Sequence, residues 1–319
     1  MAKHSKGKGL RASLKIYQAA ERLRALEKKK EKNKTQKGLR GKSVKRNQES
    51  QTRNNVPFIP FSKNATLLLV GEGDFSFARS VIEQNYILAE NLIVTSYDNG
   101  IEELNAKYPN SFQENYQFLI SEGVTVFLGV DATDLVKTFK LSKKNTWNKL
   151  LGHNWSNKCL ENIMFNFPHT GKGVKDQARN IRDHQTLVDG FFRSCKELFQ
   201  NVNSKVISNK SHYIRSYDDE NQDSVSLEGF GTILLTIFAG EPYDSWRIKT
   251  LAKGNGLKLE RSNRFQWEIY PSYHHRRTNS EQETTKPAKQ REARIYVFKK
   301  SEIGEEEKKA SKDRDEENL

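Results

Sequence analysis

The segment Leu67-Leu68-Leu69-Val70-Gly71-Glu72-Gly73-Asp74-Phe75-Ser76 constrains the fold more than any other stretch of the chain. A short apolar run, two glycines and then helix-compatible residues read as a buried strand, a tight turn and a helix start. Gly71 and Gly73 accept positive φ and carry no Cβ, so a nucleotide-like ligand can lie directly on the turn. The turn amides and the helix N-terminus then face that ligand. The spacing departs from the dinucleotide fingerprint, because Gly71-x-Gly73-x-x-Ser76 has serine where a third glycine or alanine is expected.

From about residue 56 apolar strands alternate with helices, the pattern of an α/β protein with a parallel sheet. Strands are predicted at 66–70, 92–97, 124–130, 163–165 and 232–238, and helices at 76–84, within 101–122, at about 175–200 and at 243–254. The 175–200 helix carries Ile181, Leu187, Val188, Phe191, Phe192, Cys195, Leu198 and Phe199 at helical spacing, which makes that stripe core. Gly254-Asn255-Gly256 is expected to stop the 243–254 helix with left-handed conformations. The polar stretch 203–226 reads as a loop. Two last strands, 257–265 and 294–298, have no helix between them and predict an antiparallel hairpin at one sheet edge. Class I methyltransferases end this way, and dehydrogenase-type Rossmann domains usually do not. The expectation is one Rossmann-like domain over 56–300, with a mostly parallel seven-stranded sheet and a C-terminal antiparallel hairpin.

Charge is distributed unevenly. Residues 1–53 hold 18 Lys/Arg against 4 Asp/Glu, which is the whole net charge of +14, so the remainder of the chain is balanced. That basic arm, 1–55, lacks a core-forming pattern and suits a polyanion; its thin stripe of Leu10, Leu14, Tyr17, Ala20, Leu23 and Leu26 fits RNA better than lipid. Residues 301–319, with 8 acidic and 4 basic groups, read as a disordered acidic tail. Cys159 and Cys195 alone cannot build a disulfide framework or a four-ligand zinc site. No apolar run approaches the roughly 20 residues that span a bilayer, and no signal-peptide core is seen at the N-terminus. The expected compartment is reducing and aqueous, cytosolic or nuclear.

Ligands of doubly wound sheets sit at the carboxyl ends of strands, near the point where strand order reverses. Three features fall there. The Gly71–Ser76 turn, including Glu72 and Asp74, follows the first strand. Asp98 ends the second, where a carboxylate can accept both hydroxyls of a ribose, and Asp131 ends the third, where it can accept from an adenine amino group. Either aspartate alone is equally a helix N-cap; the two beside a glycine turn favour adenosine. The fourth strand runs into Asn166-Phe167-Pro168-His169, which resembles the Asn-Pro-Pro-Tyr type of motif of S-adenosylmethionine enzymes that methylate planar nitrogens. In-line methyl transfer rewards positioning by as much as ~7–11 kcal/mol. The Asn166 amide and Phe167 carbonyl suit the nitrogen edge of a base, Pro168 stiffens the turn, and His169 or Phe167 suits its face. His169 is also a candidate general base. Lys172, Lys175, Arg179 and Arg182 recur at steps of 3, 4 and 3, a basic helix face for a phosphate backbone or a solvated surface. His274, His275, Arg276 and Arg277 are expected on the edge loop as a second RNA contact, and as metal ligands they are poor.

Longer segments carry a family resemblance. Val44–Glu49, Gly71–Ser80, Asn166–Gly173, Gly240–Trp246, Tyr273–Gln282 and Thr284–Lys289 together make the chain resemble the fungal 25S rRNA (uridine-N3)-methyltransferases, over roughly residues 45–300. The resemblance implies S-adenosyl-L-methionine as cofactor, a uridine N3 in large-subunit rRNA of pre-ribosomal particles as target, a monomer, and residence in the nucleus and nucleolus. One departure from the wider class I pattern is Leu69, where many members have an acidic residue two places before the first glycine. Glu72 or Asp74 is expected to take over that contact. Two other readings remain: a nicotinamide-dependent oxidoreductase, which gives the 166–169 turn no role, and a catalytically silent ribosome-assembly factor.

Overall fold

The computed structural model describes residues 57–213, 225–226, 229–281 and 287–301. The chain divides into two units, Met1–Pro57 and Phe58–Leu319, and the fold below belongs to the second. The basic arm, nearly all of the acidic tail, the Val44–Glu49 segment and Thr284–Lys286 lie outside the described residues.

Strand β1 (Leu67–Val70) pairs in parallel with β2 (Leu92–Thr95) on one side and β4 (Asn162–Asn166) on the other. Beyond β2 lies β3 (Thr125–Phe127), and beyond β4 lies β5 (Thr232–Phe238), both parallel. The final strands, β6 (Leu257–Arg264) and β7 (Ala293–Lys300), are antiparallel, and β7 is inserted between β5 and β6. The seven-stranded order is therefore β3-β2-β1-β4-β5-β7-β6, and it reverses between β1 and β4. Ligand clefts open at such a switch point, at the carboxyl ends of the strands.

The strands are continuous apolar runs because both sheet faces are covered. On one face Leu68, Val70, Ile163 and Phe165 pack with Val188, Phe191, Phe192, Cys195, Leu198 and Phe199 of the long helix. On the other Leu67, Leu69, Val94 and Met164 pack with Phe75, Phe77, Val81, Phe112 and Leu119. The helices are α1 (Ser76–Glu83), α2 (Ile101–Lys107), α3 (Phe112–Ser121), α4 (Leu135–Thr138), α5 (Trp147–Leu151), α6 (Gln177–Tyr213) and α7 (Ile248–Gly254).

Several expected boundaries move, each for a physical reason. Helix α6 extends to Tyr213, where a loop was expected, because Val202 and Val206 continue the buried stripe one and two turns past Leu198. Strand β3 is shorter than predicted because Gly129, at φ 69°, turns the chain aside. The expected 243–254 helix splits into a 3₁₀ turn at Asp244–Trp246 and then α7, with Arg247 at φ 52° between them. At the end of α7 only Gly256 is left-handed, at φ 69°; Gly254 closes the helix and Asn255 has φ −91°. Helices α4 and α5 were not expected, and they bury Leu135, Trp147 and the adjoining Phe139 and Trp155 against the α6 face.

Candidate active site

A cleft of about 880 Å³ opens at the carboxyl ends of β1 to β4. The Gly71–Asp74 turn forms one wall, and residues 273–279, from the connection between β6 and β7, form another. Gly71 has φ 70°, and a Cβ there would lie 2.5 Å from the Phe165 ring, so only glycine lets the turn close. Asp74 does not project freely into the cleft. Its carboxylate accepts from the Ser76 amide at 3.1 Å, the Ser76 hydroxyl at 2.6 Å and the Ser111 hydroxyl at 2.9 Å, and pairs with Arg276 at 3.6 Å. Ser76 is in turn tied to the His274 backbone, from whose amide it accepts at 3.1 Å. Asp74 and Ser76 thus pin the wall of the site to the turn.

Glu72 is buried and accepts a long bond from the Ala78 amide, 3.4 Å. Burial, with the charge of Asp74 second, pushes its carboxyl up to about 8. Asp98 ends the β2 loop as expected, ion-paired to Lys107 and accepting from Ser96 Oγ at 3.3 Å. Burial raises its carboxyl above the usual range, and the Lys107 ammonium opposes that. Asp98 caps no helix, since α2 has Gly100 at its N-cap. Asp131 lines the same cleft, but its Oδ1 accepts from both the Thr133 amide, 2.8 Å, and the Thr133 hydroxyl, 2.7 Å. That is a local Asx turn, which leaves Oδ2 for a ligand.

The 166–169 corner lines the cleft opposite the glycine turn. Asn166 faces Thr236 in the β4–β5 register, and the Thr236 hydroxyl donates to Asn166 Oδ1 at 2.7 Å. Asn166 Nδ2 is buried with no hydrogen-bond partner among the described residues. Phe167 takes φ 48°, and its ring enters an aromatic wall: 4.5 Å from Phe238, stacked at 5.4 Å on Trp267, and 4.8 Å from His275. Pro168 is buried. His169 sits at the mouth, where its Nδ1 accepts from the Gly171 amide at 3.0 Å. Partial desolvation by the surrounding walls first, then neighbouring His184, lowers its pKa although the ring keeps an exposed edge. A neutral ring whose Nδ1 is an acceptor carries its proton on Nε2, which makes that nitrogen a donor.

The basic residues divide. Helix α6 begins at Gln177, capped by Asp176, whose carboxylate accepts from the Arg179 amide at 2.6 Å. Lys172 and Lys175 therefore precede the helix, and only Arg179 and Arg182 lie on it; all four are exposed. Lys172 lines the cleft, 4.0 Å from Asp183. The 274–277 segment folds over the glycine turn. Arg276 is committed to Asp74, and His275 is packed in the aromatic wall with its pKa pushed down to about 4 by burial and by Arg291. His274 and Arg277 are exposed.

Sequence reasoning missed the residues that hold these groups in place. Thr236 reaches Asn166, and the Tyr108 hydroxyl donates to the backbone carbonyl of Thr278 at 3.0 Å. His184, stacked at 4.5 Å on Trp246, stands behind His169. Asp183 lines the cleft with a buried Oδ2 that has no hydrogen bond among the described residues and meets only the distant Lys172 ammonium. These partners lie far apart in the chain or on helix faces that read as ordinary surface, and nothing local marks them. Among the described residues no cluster of three metal-ligating side chains occurs, and no helix is long and apolar enough to cross a membrane.

A reversed parallel sheet ending in an antiparallel hairpin, with a glycine turn and an Asn-Phe-Pro-His corner facing each other across its switch point, defines a Rossmann-like class I methyltransferase. The family model described as rRNA (uridine-N3-)-methyltransferase BTM5-like matches residues 68–277. The chain is 51% identical to the 25S rRNA (uridine(2634)-N(3))-methyltransferase of Saccharomyces cerevisiae, an alignment covering 99% of each. The chain belongs to this BMT5-like family. More distant relatives are an uncharacterized protein of Arabidopsis thaliana, 28% identical over 67% of this chain and 82% of the relative, and the human ferredoxin-fold anticodon-binding domain-containing protein 1, 30% identical over 64% of this chain and 25% of the relative.

Proposed function

We propose that this protein transfers a methyl group from S-adenosyl-L-methionine to N3 of a uridine in large-subunit (25S) rRNA. The reading rests on one observation above the others. The Asn166–His169 corner and the Gly71 turn share a single cleft, in a chain that matches the yeast uridine-N3 enzyme end to end. The residues present fit the cofactor. The left-handed Gly71 turn lines the cleft, Asp98 at the end of β2 suits the ribose hydroxyls, and Oδ2 of Asp131, which has no hydrogen bond among the described residues, suits the adenine amine. Glu72, buried next to the turn and protonated up to about pH 8 without a ligand, is placed to ionise against the cationic end. When bound, the cofactor supplies an electrophilic methyl carbon on a sulfonium.

The chain's own residues then hold the acceptor. The base leaves its stack to reach the cleft, and the corner orients its nitrogen edge beside the aromatic wall of Phe167, Phe238 and Trp267. The exposed Lys172 and His274 line the cleft, and the exposed Lys175, Arg179, Arg182 and Arg277 follow them closely in the chain; these cationic and polar groups suit RNA phosphates. The 1–55 arm adds affinity by charge, and the protein acts as a monomer on pre-ribosomal particles in the nucleolus. The test separates catalysis from a silent assembly role. Asn166→Ala should lower kcat/KM for methyl transfer to rRNA about tenfold or more while S-adenosylhomocysteine binding, measured by calorimetry, survives. Transfer at the wild-type rate would make the corner structural, and rRNA that stays unmethylated with the wild-type protein would favour the assembly factor.

A further inference from the structure

We infer that Asn166 and His169 form a pair of hydrogen-bond donors that reads the two carbonyl oxygens flanking N3 of uracil, with Thr236 as the residue that fixes the Asn166 amide in its donating orientation. The inference rests on the uridine reading above and adds the basis of base selection.

Amide orientation carries the argument. A turn that recognises an amino nitrogen would offer it the amide oxygen, yet here Asn166 Oδ1 is occupied by the Thr236 hydroxyl at 2.7 Å. The Nδ2 group, with two N–H donors, is buried in the cleft lining and has no hydrogen-bond partner among the described residues. An unsatisfied buried donor is costly and is kept where a ligand supplies its acceptor. Thr236 is held rigidly for this role: it is fully buried in β5, directly opposite Asn166, and its carbonyl accepts from the Phe167 amide at 2.8 Å.

His169 lines the same cleft and is a donor for an independent reason. The Gly171 amide occupies Nδ1, so the proton of the neutral ring sits on Nε2. Behind it, His184 Nδ1 is 2.7 Å from the Asn180 carbonyl, and its Nε2 accepts from the Thr170 amide at 3.4 Å, which fixes His184 as neutral too. The reading edge of uracil runs acceptor, donor, acceptor: O4, N3–H, O2. Cytosine sets an amino donor in place of O4, and guanine sets one in place of O2. Two protein donors flanking the reactive nitrogen therefore accept uracil and oppose the others, donor against donor. Donation to both carbonyls also draws electron density from N3, so that its proton passes more readily to solvent water in the open cleft as the N–CH3 bond replaces N–H.

The experiment uses the full chain and a 25S rRNA segment that carries uridine, 2-thiouridine or 4-thiouridine at the methylated position. Sulfur accepts hydrogen bonds weakly, so wild-type kcat/KM should fall about tenfold for each thio-base, one lost hydrogen bond apiece. The intrinsic reactivity of each thio-base is common to all protein variants and cancels in the ratio. Asn166→Asp should remove the penalty at one thio position and His169→Leu at the other. Thr236→Val should reproduce the Asn166→Asp pattern and Thr236→Ser should restore the wild-type pattern. A merely structural role would lower all three RNAs alike, and that uniform loss overturns the pair. Coupling of both side chains to the same position overturns it as well. Wild-type protein that transfers no methyl to the unmodified RNA overturns the uridine reading itself, whereas transfer without coupling overturns only the donor pair.

Discussion

Replacing Glu72 with glutamine tests whether the carboxylate beside the glycine turn is neutral in the folded protein. Burial raises its pKa from 4.5 to about 8. At 1.36 kcal/mol per pKa step, ionising it in the folded chain costs about 4–5 kcal/mol more than in the unfolded chain. Between these two values the folded state keeps a proton that the unfolded state has released. Stability therefore falls as pH rises through that window, is free of the cost below it, and bears all of it above. A glutamine amide in that place is nearly isosteric and neutral in both states, so the variant's stability lacks this slope. Urea denaturation of wild type and Glu72→Gln at half-unit steps from pH 5 to 9 should show the variant gaining about 4 kcal/mol relative to wild type from one end to the other. Curves that stay parallel within about 1 kcal/mol would refute the argument, because a solvated or already ionised Glu72 gives no differential slope.

Two further outcomes are expected. Gly71→Ala forces a side chain into φ 70° and sets a Cβ 2.5 Å from the Phe165 ring; left-handed strain and overpacking together should cost about 2–5 kcal/mol, read as a lowered denaturation midpoint with cofactor affinity lost. A midpoint equal to wild type would mean that the turn relaxes elsewhere. Asp98→Ala should weaken S-adenosylhomocysteine binding by roughly 100-fold or more, since each hydrogen bond to a charged group is worth about 1.5–3 kcal/mol; unchanged calorimetric affinity would remove Asp98 from the ribose contact.

Much of the frame was legible because it rests on local pattern. Leu67–Val70, Leu92–Thr95 and Thr232–Phe238 are continuous apolar runs, and such runs are readable where a strand is buried on both faces. The polar residues after Phe199 hid the rest of α6, since Val202 and Val206 carry the buried stripe on among Asn and Lys. The site divides in the same way. Gly71, Asp98 and Asn166 announce themselves by standing at strand ends. What each side chain does depends on partners the sequence places elsewhere: Thr236 is 70 positions from Asn166, and Arg276 meets Asp74 from the other end of the domain. Arg276 and His275 looked like RNA contacts because a charged or aromatic residue in a polar run is read as exposed, and only the tertiary fold shows them turned inward.

The insertion of β7 between β5 and β6 has a consequence for when the protein becomes competent. The chain passes from one strand to the other through residues 265–292, and His274 and Arg276 of that stretch hold the glycine turn. A ribosome adding about 5–20 residues each second makes the nucleotide end of the cleft first and its roof well afterwards. Until the closing strand has been threaded into its slot, Phe77 and Phe167 lack Tyr270, Tyr273 and Trp267 as neighbours. The part of the cleft lining that comes from Tyr273–Asn279 is thereby completed only in the assembled domain.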